Sequence, residues 1–335
     1  MSARIIALLL IFATADWVGA QTPFQLDRCE VVPLPNDQAS FRIDGQERLR
    51  WHFGDQYPRP FFYPLVGPSG ATLTRMGHPG AQNHDHHRSI WFAHQDVNGI
   101  NFWSDQTDAR VRQTLWYRYR DGDDEAIMAT LSIWSDGQGR KLMEQDTVAA
   151  LIPLDAGEHA LEIQLTLRPP AGAAVVQLGK TNFGFLAVRV AKTIAAYFGG
   201  GTITNSEGQV GEPDVFAKPA RWVDYSGPVV LGTGRERRVE IEGITYFDHP
   251  HNPRYPAHWH VREDGWMGAS FCMHESYTIE TDQPLILRYL LYAHSGSYNR
   301  EKVHAIHSAF AGRPGFTIAK ATTRHLQFEV ERNDR

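Results

Sequence analysis

The sequence has only two cysteines, Cys29 and Cys272, in 335 residues. Nothing in the sequence brings the two together, and Cys272 lies in an apolar segment that is typical of a packed strand. We therefore expect buried free thiols rather than a disulfide. Basic residues are also few, 33 Lys and Arg against 38 Asp and Glu. The resulting net charge of −5 argues against nucleic acid as a partner.

Several catalytic signatures are missing as well. The chain has no Gly-x-Ser-x-Gly elbow, which disfavours a serine hydrolase of the α/β type, and no His-Glu-x-x-His zinc motif. The glycine-rich segment 198–201 is not followed by Lys and Ser or Thr, and no βαβ pattern surrounds it. We therefore expect no nucleotide cofactor.

Long apolar runs are confined to the N-terminus. Residues 1–20 combine Arg4, an apolar run over 5–15 and small residues close to position 20. This pattern predicts a cleaved signal peptide, because the run is too short for a good membrane span. The mature chain is then periplasmic or secreted, without a membrane span; a retained N-terminal anchor is the alternative.

The rest of the chain alternates apolar and polar residues. Residues 161–167 have the period of a half-buried strand, and similar patterns recur at 115–119, 128–134, 239–244 and 285–292. Turn signals separate these segments, in a chain with 29 Gly and 19 Pro. The pattern predicts an all-β fold, a large antiparallel β-sandwich.

One segment has helical spacing instead. Residues 299–311 place apolar side chains three and four positions apart, and Gly312 and Pro314 end the pattern. We predict one C-terminal helix packed on a sheet edge. Since no repeat or linker divides the chain, we expect a single domain over residues 24–332.

Histidine is abundant and clustered. Five of the 16 histidines fall within residues 78–94, where an even spread would place about 0.8, and four more fall within 249–260. In a strand, His84 and His86 would share a face while His87 points away, and His258 and His260 would pair in the same way.

Such pairs on neighbouring strands suit one divalent metal, which could be Zn, Mn, Fe or Cu. The predicted ligands are His84, His86, His94 and His258. Asp85, Asp96 and Asp248 are candidates for an oxygen ligand or for orienting an imidazole. Two alternatives stay open: a metal-free pocket in which histidines act as acid and base, and a purely structural role. The candidate catalytic residues are His86, His87, Arg88 and His260.

Aromatic and polar residues around these clusters indicate a sugar ligand. Trp91, Trp103, Trp222, Trp259 and Trp266 lie within or beside the polar motifs. Sugar C–H faces stack on such rings, while hydroxyl groups bond to Asn, Asp, Arg and His. The candidate substrate-binding residues are Trp91, Asp96, Asn98, His249, Asn252, Arg254, Trp259 and Arg262.

The same motifs resemble a bacterial family. The resemblance rests on residues 59–65, 85–99, 222–227, 248–254 and 259–265, and it spans about residues 40–300. The chain is similar in these segments to the uncharacterised secreted family labelled "methane oxygenase PmoA". The label does not fit the sequence, because a membrane monooxygenase subunit needs several apolar spans. The resemblance implies a secreted galactose-mutarotase-like supersandwich that acts on carbohydrate.

Together these features predict a secreted carbohydrate-active enzyme that acts on a glycan or oligosaccharide by hydrolysis or elimination. Histidines would supply metal ligands or acid–base groups, and arginines would bind a carboxylate or stabilise developing negative charge. A non-catalytic sugar-binding module is the first alternative, and a metal-dependent redox protein is the second.

Overall fold

The computed structural model describes residues 26–333 except 79, 80, 82, 83 and 85. The predicted signal peptide and Asp85 therefore lie outside the described residues. Within the described ranges, no helix is both long and apolar enough to cross a membrane.

Two antiparallel sheets of eight strands each build the molecule, which confirms the predicted all-β sandwich. Strands are numbered along the chain. The first sheet consists, in spatial order, of β1 (Cys29–Leu34), β2 (Gln38–Ile43), β3 (Gln46–His52), β4 (Phe61–Leu65), β5 (Ile90–His94), β11 (Gly184–Arg189), β16 (Trp266–Ala269) and β15 (Trp259–Arg262). The second consists of β12 (Thr202–Asn205), β13 (Trp222–Leu231), β14 (Arg238–Asp248), β18 (Leu285–Ser295), β9 (His159–Arg168), β8 (Lys141–Pro153), β7 (Ala126–Ser135) and β6 (Arg110–Arg120). Two small pairs accompany them, β10 (Val175–Leu178) with β17 (Tyr277–Glu280) and β19 (Phe316–Lys320) with β20 (Phe328–Arg332).

One continuous apolar core fills the space between the two sheets. Phe92 of β5 meets Trp134 of β7 edge to face, with ring centroids 5.9 Å apart. The Tyr246 hydroxyl of β14 donates to the carbonyl of Leu186 in β11 at 3.1 Å. Both cysteines are free and buried, as predicted.

The predicted C-terminal helix is confirmed as α3 (Arg300–Ala311), whose N-cap Asn299 accepts the Lys302 amide at 3.0 Å. Its position at a sheet edge was predicted wrongly. Val303 and Phe310 pack on residues of β8, β9, β13, β14 and β18, so α3 covers the outer face of the second sheet. Two four-residue helices, α1 (Ala196–Gly199) and α2 (Glu212–Val215), were not predicted.

The segment 161–167 is a strand, as predicted, but it is buried on both faces rather than half-buried. Glu162 is fully buried in β9, where its carboxylate accepts from Arg288 at 2.6 Å and from Arg332 at 2.8 Å. The polar positions of this strand are therefore occupied by a buried ion-pair network, which alternation alone does not distinguish from solvent exposure.

Candidate functional site

The candidate site lies on the outer face of the first sheet, where strand register aligns side chains from four strands. Trp91 of β5 lies opposite Ala187 of β11, which lies opposite Gly268 of β16, which lies opposite His260 of β15. Because facing residues in a sheet project to the same side, these four form one row. The two small residues leave a trough between the tryptophan and the histidine.

A second row runs beside the first and fills the trough. Arg189, Trp266 and Arg262 are paired across β11, β16 and β15. A Cβ atom placed on Gly268 would lie 3.6 Å from the indole nitrogen of Trp266, so this ring lies across the glycine. This distance is an ordinary van der Waals contact, and the tighter neighbour of that Cβ atom would be the Leu186 carbonyl oxygen at 3.3 Å.

Three tryptophans form an aromatic cluster on this face. The ring centroids of Trp91, Trp103 and Trp266 are 5.1 to 5.6 Å apart, and Phe183 extends the cluster at 5.5 Å from Trp103. Each of the three indole N–H groups is buried and has no hydrogen-bond partner among the described residues. Buried indoles usually find a partner, so these three unpartnered donors set the cluster apart from an ordinary aromatic core.

Three further histidines, which we call the loop histidines (His84, His86 and His87), converge beside the cluster. Ring centroids lie 5.7 Å apart for His84 and His86, 4.8 Å for His84 and His87, and 4.3 Å for His86 and His87. His87 also lies 5.0 Å from the Trp266 ring. The convergence of His84 and His86 is as predicted, but His87 does not point away. The strand assumption failed because the segment turns, with the His87 amide donating to the His84 carbonyl at 3.1 Å.

These groups enclose what we call the histidine–tryptophan cavity, with a volume of about 390 Å³. Its walls include His84, His86, His87, His260, Trp103 and Trp266. A space of this size, lined by aromatic rings and a few polar groups, is typical of a small-molecule site.

His260 has a defined protonation state in this cavity. Its Nδ1 lies 3.0 Å from the carbonyl oxygen of Asn182, and a carbonyl oxygen only accepts hydrogen bonds. Nδ1 therefore carries the proton. Burial lowers the pKa of His260 to about 4, so the ring is neutral at pH 7 and Nε2 presents a lone pair. His260 can act as a base or as a nitrogen ligand.

The loop histidines are neutral for a related reason. Burial lowers the pKa of His86 to about 4, and burial together with the positive charge of Arg189 lowers the pKa of His87 well below its usual range. The pKa of His84 is also lowered, by burial and then by His78. The cavity thus presents imidazole rings rather than imidazolium ions.

Asp264 is the one acidic residue among the described cavity-lining residues. One carboxylate oxygen accepts from Arg189 Nη1 at 2.7 Å and the other from His78 Nε2 at 2.7 Å. Burial acts to raise the pKa of this carboxyl, but the hydrogen bond and charge of Arg189 outweigh it and lower the pKa. Asp264 is therefore held as a carboxylate.

The structure does not bring the four predicted metal ligands together. His84 and His86 line the cavity, whereas His94 faces the inter-sheet core, stacks on Phe185 at 4.6 Å and contacts the Gly179 carbonyl at 3.0 Å through Nε2. His258 precedes β15 and lines a second cavity of about 230 Å³. The described part of the chain contains no group of three or more His, Cys, Asp or Glu side chains that could hold a metal ion.

Of the predicted catalytic residues, His86, His87 and His260 line the histidine–tryptophan cavity. Arg88 lies beside it and forms an ion pair with Asp105 at 2.5 Å. Of the predicted substrate-binding residues, Trp91 belongs to the aromatic cluster and Arg262 lines the cavity.

The other predicted substrate-binding residues lie elsewhere in the described structure. Asp96 and Asn98 stabilise a turn through backbone amides of Gly99 and Gln177. Trp259 faces the core and donates to the Ala220 carbonyl at 2.7 Å, because alternation in β15 places it opposite His260.

The motif at residues 248–254 belongs to two other environments. Asn252 and Arg254 line the second cavity, next to Asp248, which accepts from Asn252 at 2.6 Å. His249 is buried below α3, where its Nε2 lies 3.0 Å from Arg288 and its ring packs edge-on against Phe310. These side chains are engaged in structural contacts.

The sequence analysis missed Arg189 and Phe183, and it also missed Asp264 as the carboxylate that accepts from Arg189 and His78. Arg189 was detectable, because it is the charged residue in the otherwise apolar run 185–190, where a charge is seldom buried without a purpose. Phe183 had no such signal, since its role depends on the adjacency of β5 and β11.

The fold and the site define an all-β sandwich protein with a histidine- and tryptophan-lined cavity on the outer face of one sheet. Residues 38–308 match the model of a family of unknown function, DUF6807, and the chain belongs to that family. No match was found among curated proteins. The family description carries no activity, so the resemblance to the family labelled "methane oxygenase PmoA" stays a prediction.

Proposed function

We propose that the protein is a carbohydrate-active enzyme whose reaction takes place in the histidine–tryptophan cavity. The observation that carries this proposal is the neutral His260, with its proton fixed on Nδ1 by Asn182, beside the aromatic cluster. A base and a stacking surface in one cavity are what an enzyme that removes a proton from a sugar needs.

The aromatic cluster supports a sugar rather than another polar ligand. The rings of Trp103, Trp266 and Phe183 line the cavity, and sugar C–H faces pack on such rings. The indole N–H groups of Trp103 and Trp266, which have no partner among the described residues, would serve as donors to a sugar that displaced their present packing.

The charge state of the cavity favours elimination over hydrolysis. Hydrolysis of a glycosidic bond usually needs two carboxyl groups, one of them protonated. Asp264 is the single carboxyl among the described lining residues, and Arg189 and His78 keep it ionised. Elimination needs instead a neutral base and a cation that stabilises developing negative charge, and His260 and Arg189 fit these roles.

A polysaccharide turnover screen followed by substitution tests the proposal. We expect His260→Ala to lower kcat by about 100-fold or more, because general-base catalysis contributes at least that much. Binding of the substrate should persist in this variant, whereas Trp103→Ala should weaken binding. His304→Ala, at an exposed position of α3, is the matched control and should behave like wild type.

Two results would change the assignment. Full turnover by a folded His260→Ala variant would overturn the role of this residue. Glycan binding without turnover across the screen, lost in Trp103→Ala but kept in His260→Ala, would make the protein a sugar-binding module instead.

The divalent metal predicted from the sequence can be measured in parallel. Of the predicted ligands, only His84 and His86 lie together in this cavity, and no group of three His, Cys, Asp or Glu side chains in the described part of the chain could hold such an ion. No step of the proposed reaction is routed through a metal. Elemental analysis that found about one metal per chain, lost in His86→Ala, would add a ligand role for the loop histidines and leave His260 as the base.

A further inference from the structure

The histidine–tryptophan cavity lies next to buried Arg189 and half-buried Arg75, which both bond to Asp264. Arg189 donates to Asp264 Oδ1 at 2.7 Å, and Arg75 donates to the backbone carbonyl of Asp264 at 2.5 Å. Within the described ranges, Asp264 is the one carboxylate whose charge raises the pKa of either guanidinium. This group therefore carries one positive charge in excess.

A second arginine pair repeats the arrangement below His86. Arg59 and Arg88 both bond to Asp105, at 3.0 and 2.5 Å. Arg59 is 2% exposed, and the charges of Asp105, Arg59 and Arg88 all act on the ring of His86. Two guanidinium groups again share one carboxylate.

The remaining charged groups at the cavity do not offset this excess. Arg262 is paired with Glu212 at 2.6 Å, so it adds no net charge, and the cavity histidines are neutral. The four guanidinium groups, three buried and one half-buried, therefore exceed the two carboxylates by two positive charges among the described residues around this space. Buried charge of one sign is costly unless it is paired, so the arrangement favours an anionic ligand.

Hydrogen-bond capacity gives an independent indication. Arg189 is 1% exposed and lines the cavity, yet its Nε and Nη2 atoms have no hydrogen-bond partner in the described part of the chain. The same holds there for Nη1 of Arg88 and for Nε and Nη1 of Arg75. Arg189 is the lining residue among these arginines, so its two unpartnered guanidinium nitrogens are the donors at the cavity wall, and those of Arg75 and Arg88 lie behind it.

The electrostatics agree with this geometry. Burial, followed by the charge of the neighbouring Arg189, lowers the pKa of Arg75 to about 10. Burial also lowers the pKa of Arg59 to about 10, against the opposing effect of Asp105. An anion placed between these groups would be stabilised by both.

We infer that the ligand of the histidine–tryptophan cavity is an anionic sugar of the uronic acid class, whose carboxylate is bound by Arg189. The inference rests on the proposed function for the sugar ring itself. A carboxylate is planar and accepts two parallel N–H bonds, which matches a guanidinium with free donors better than a hydroxyl does.

A uronate also suits the proposed reaction. The carboxylate neighbours the carbon that loses its proton, and a guanidinium bound to it makes that proton more acidic. His260 Nε2 takes the proton, and the electrons of the broken C–H bond form a C=C bond. The adjacent C–O bond breaks with its electron pair on the departing oxygen, which takes up a proton from solvent water while His260 releases its proton to solvent. No oxidant, reductant or other reactant is required.

Calorimetric binding of matched ligands tests the inference without relying on turnover. Oligomers of glucuronate, galacturonate and mannuronate are compared with their methyl esters, which keep the sugar and remove the charge. We expect one acid to bind at least about tenfold more tightly than its ester, as one charge-assisted bidentate contact would provide. Arg189→Gln should remove this preference, and Arg238→Gln, at an exposed position of β14, should keep it.

The outcomes separate the two proposals. Equal binding of acids and esters would overturn the inference and leave a neutral-sugar enzyme. Binding of none of these ligands, nor of neutral glycans, would overturn the proposed function as well. Tighter binding of a sulfated oligomer than of every uronate would overturn the carboxylate assignment. If Arg189→Gln fails to fold, the affinities of the wild-type protein for acid and ester are compared at several salt concentrations. Equal affinities for acid and ester at low salt would overturn the inference.

Discussion

At the scale of single residues, the environment of His260 matters more than its identity. The chain has 16 histidines, but few combine a fixed tautomer with a place in a cavity. The backbone carbonyl of Asn182 orients the ring, and burial keeps it neutral. A histidine in water titrates near 6.5, so this burial extends the range in which the base is active toward acid.

This environment predicts the pH dependence of turnover. The base must be unprotonated, so activity should be lost as the pH falls through the pKa of His260, about 4. We expect kcat/KM to stay level from neutral pH downward and to decline only near that value. Initial rates across this range, with circular dichroism at each pH to monitor folding, check it. A decline centred near 6.5 would mean that a solvent-exposed histidine is the base.

At the scale of elements, strands could be predicted from the sequence and their neighbours could not. Period-two alternation located β9, β14 and β18, because each has one face on the core. The row of Trp91, Ala187, Gly268 and His260 joins distant positions, since Trp91 and Gly268 are 177 residues apart in the sequence. Local periodicity contains no information about such pairing, which is why Phe183 was missed.

The histidine clusters show the same division. Composition located the first histidine cluster, but strand geometry placed the His87 side chain on the wrong side because the chain turns between His84 and His87. His94 and His258 were grouped with it by sequence alone, although β5 directs His94 into the core. Clustering of histidines in the sequence predicts that a site exists, whereas the direction of the backbone determines which of their side chains reach it.

Helix α3 allows an element to be tested apart from the site. It packs on the outer face of the second sheet, whereas the cavity lies on the first. Phe310→Ala should lower the free energy of unfolding by about 3–5 kcal/mol, since the ring is buried. Asn299→Ala should cost about 1 kcal/mol through the lost N-cap.

Urea denaturation of these variants measures both effects. Ser308→Ala, an exposed change on the same helix, serves as the control and should stay within about 0.5 kcal/mol of wild type. Ligand binding should be unchanged in all three. Weaker binding in a folded Phe310→Ala variant would mean that α3 supports the cavity after all.

At the scale of the whole molecule, the shared core predicts how the protein unfolds. Residues of both sheets belong to one continuous apolar cluster, so neither sheet keeps its buried face when the other opens. We expect one transition, at the same urea concentration by tryptophan fluorescence and by far-ultraviolet circular dichroism. Two separated transitions would contradict the single domain predicted over residues 24–332.

The aromatic cluster has a consequence for how this protein can be observed. Two of the nine tryptophans, Trp103 and Trp266, line the histidine–tryptophan cavity, and Trp91 packs against both of them and against His87. A molecule that enters this space changes the polarity around chromophores that produce a large share of the ultraviolet emission. The protein thus contains its own optical probe. Occupancy of the cavity can be followed in unlabelled protein by the emission wavelength and intensity of its intrinsic tryptophan fluorescence.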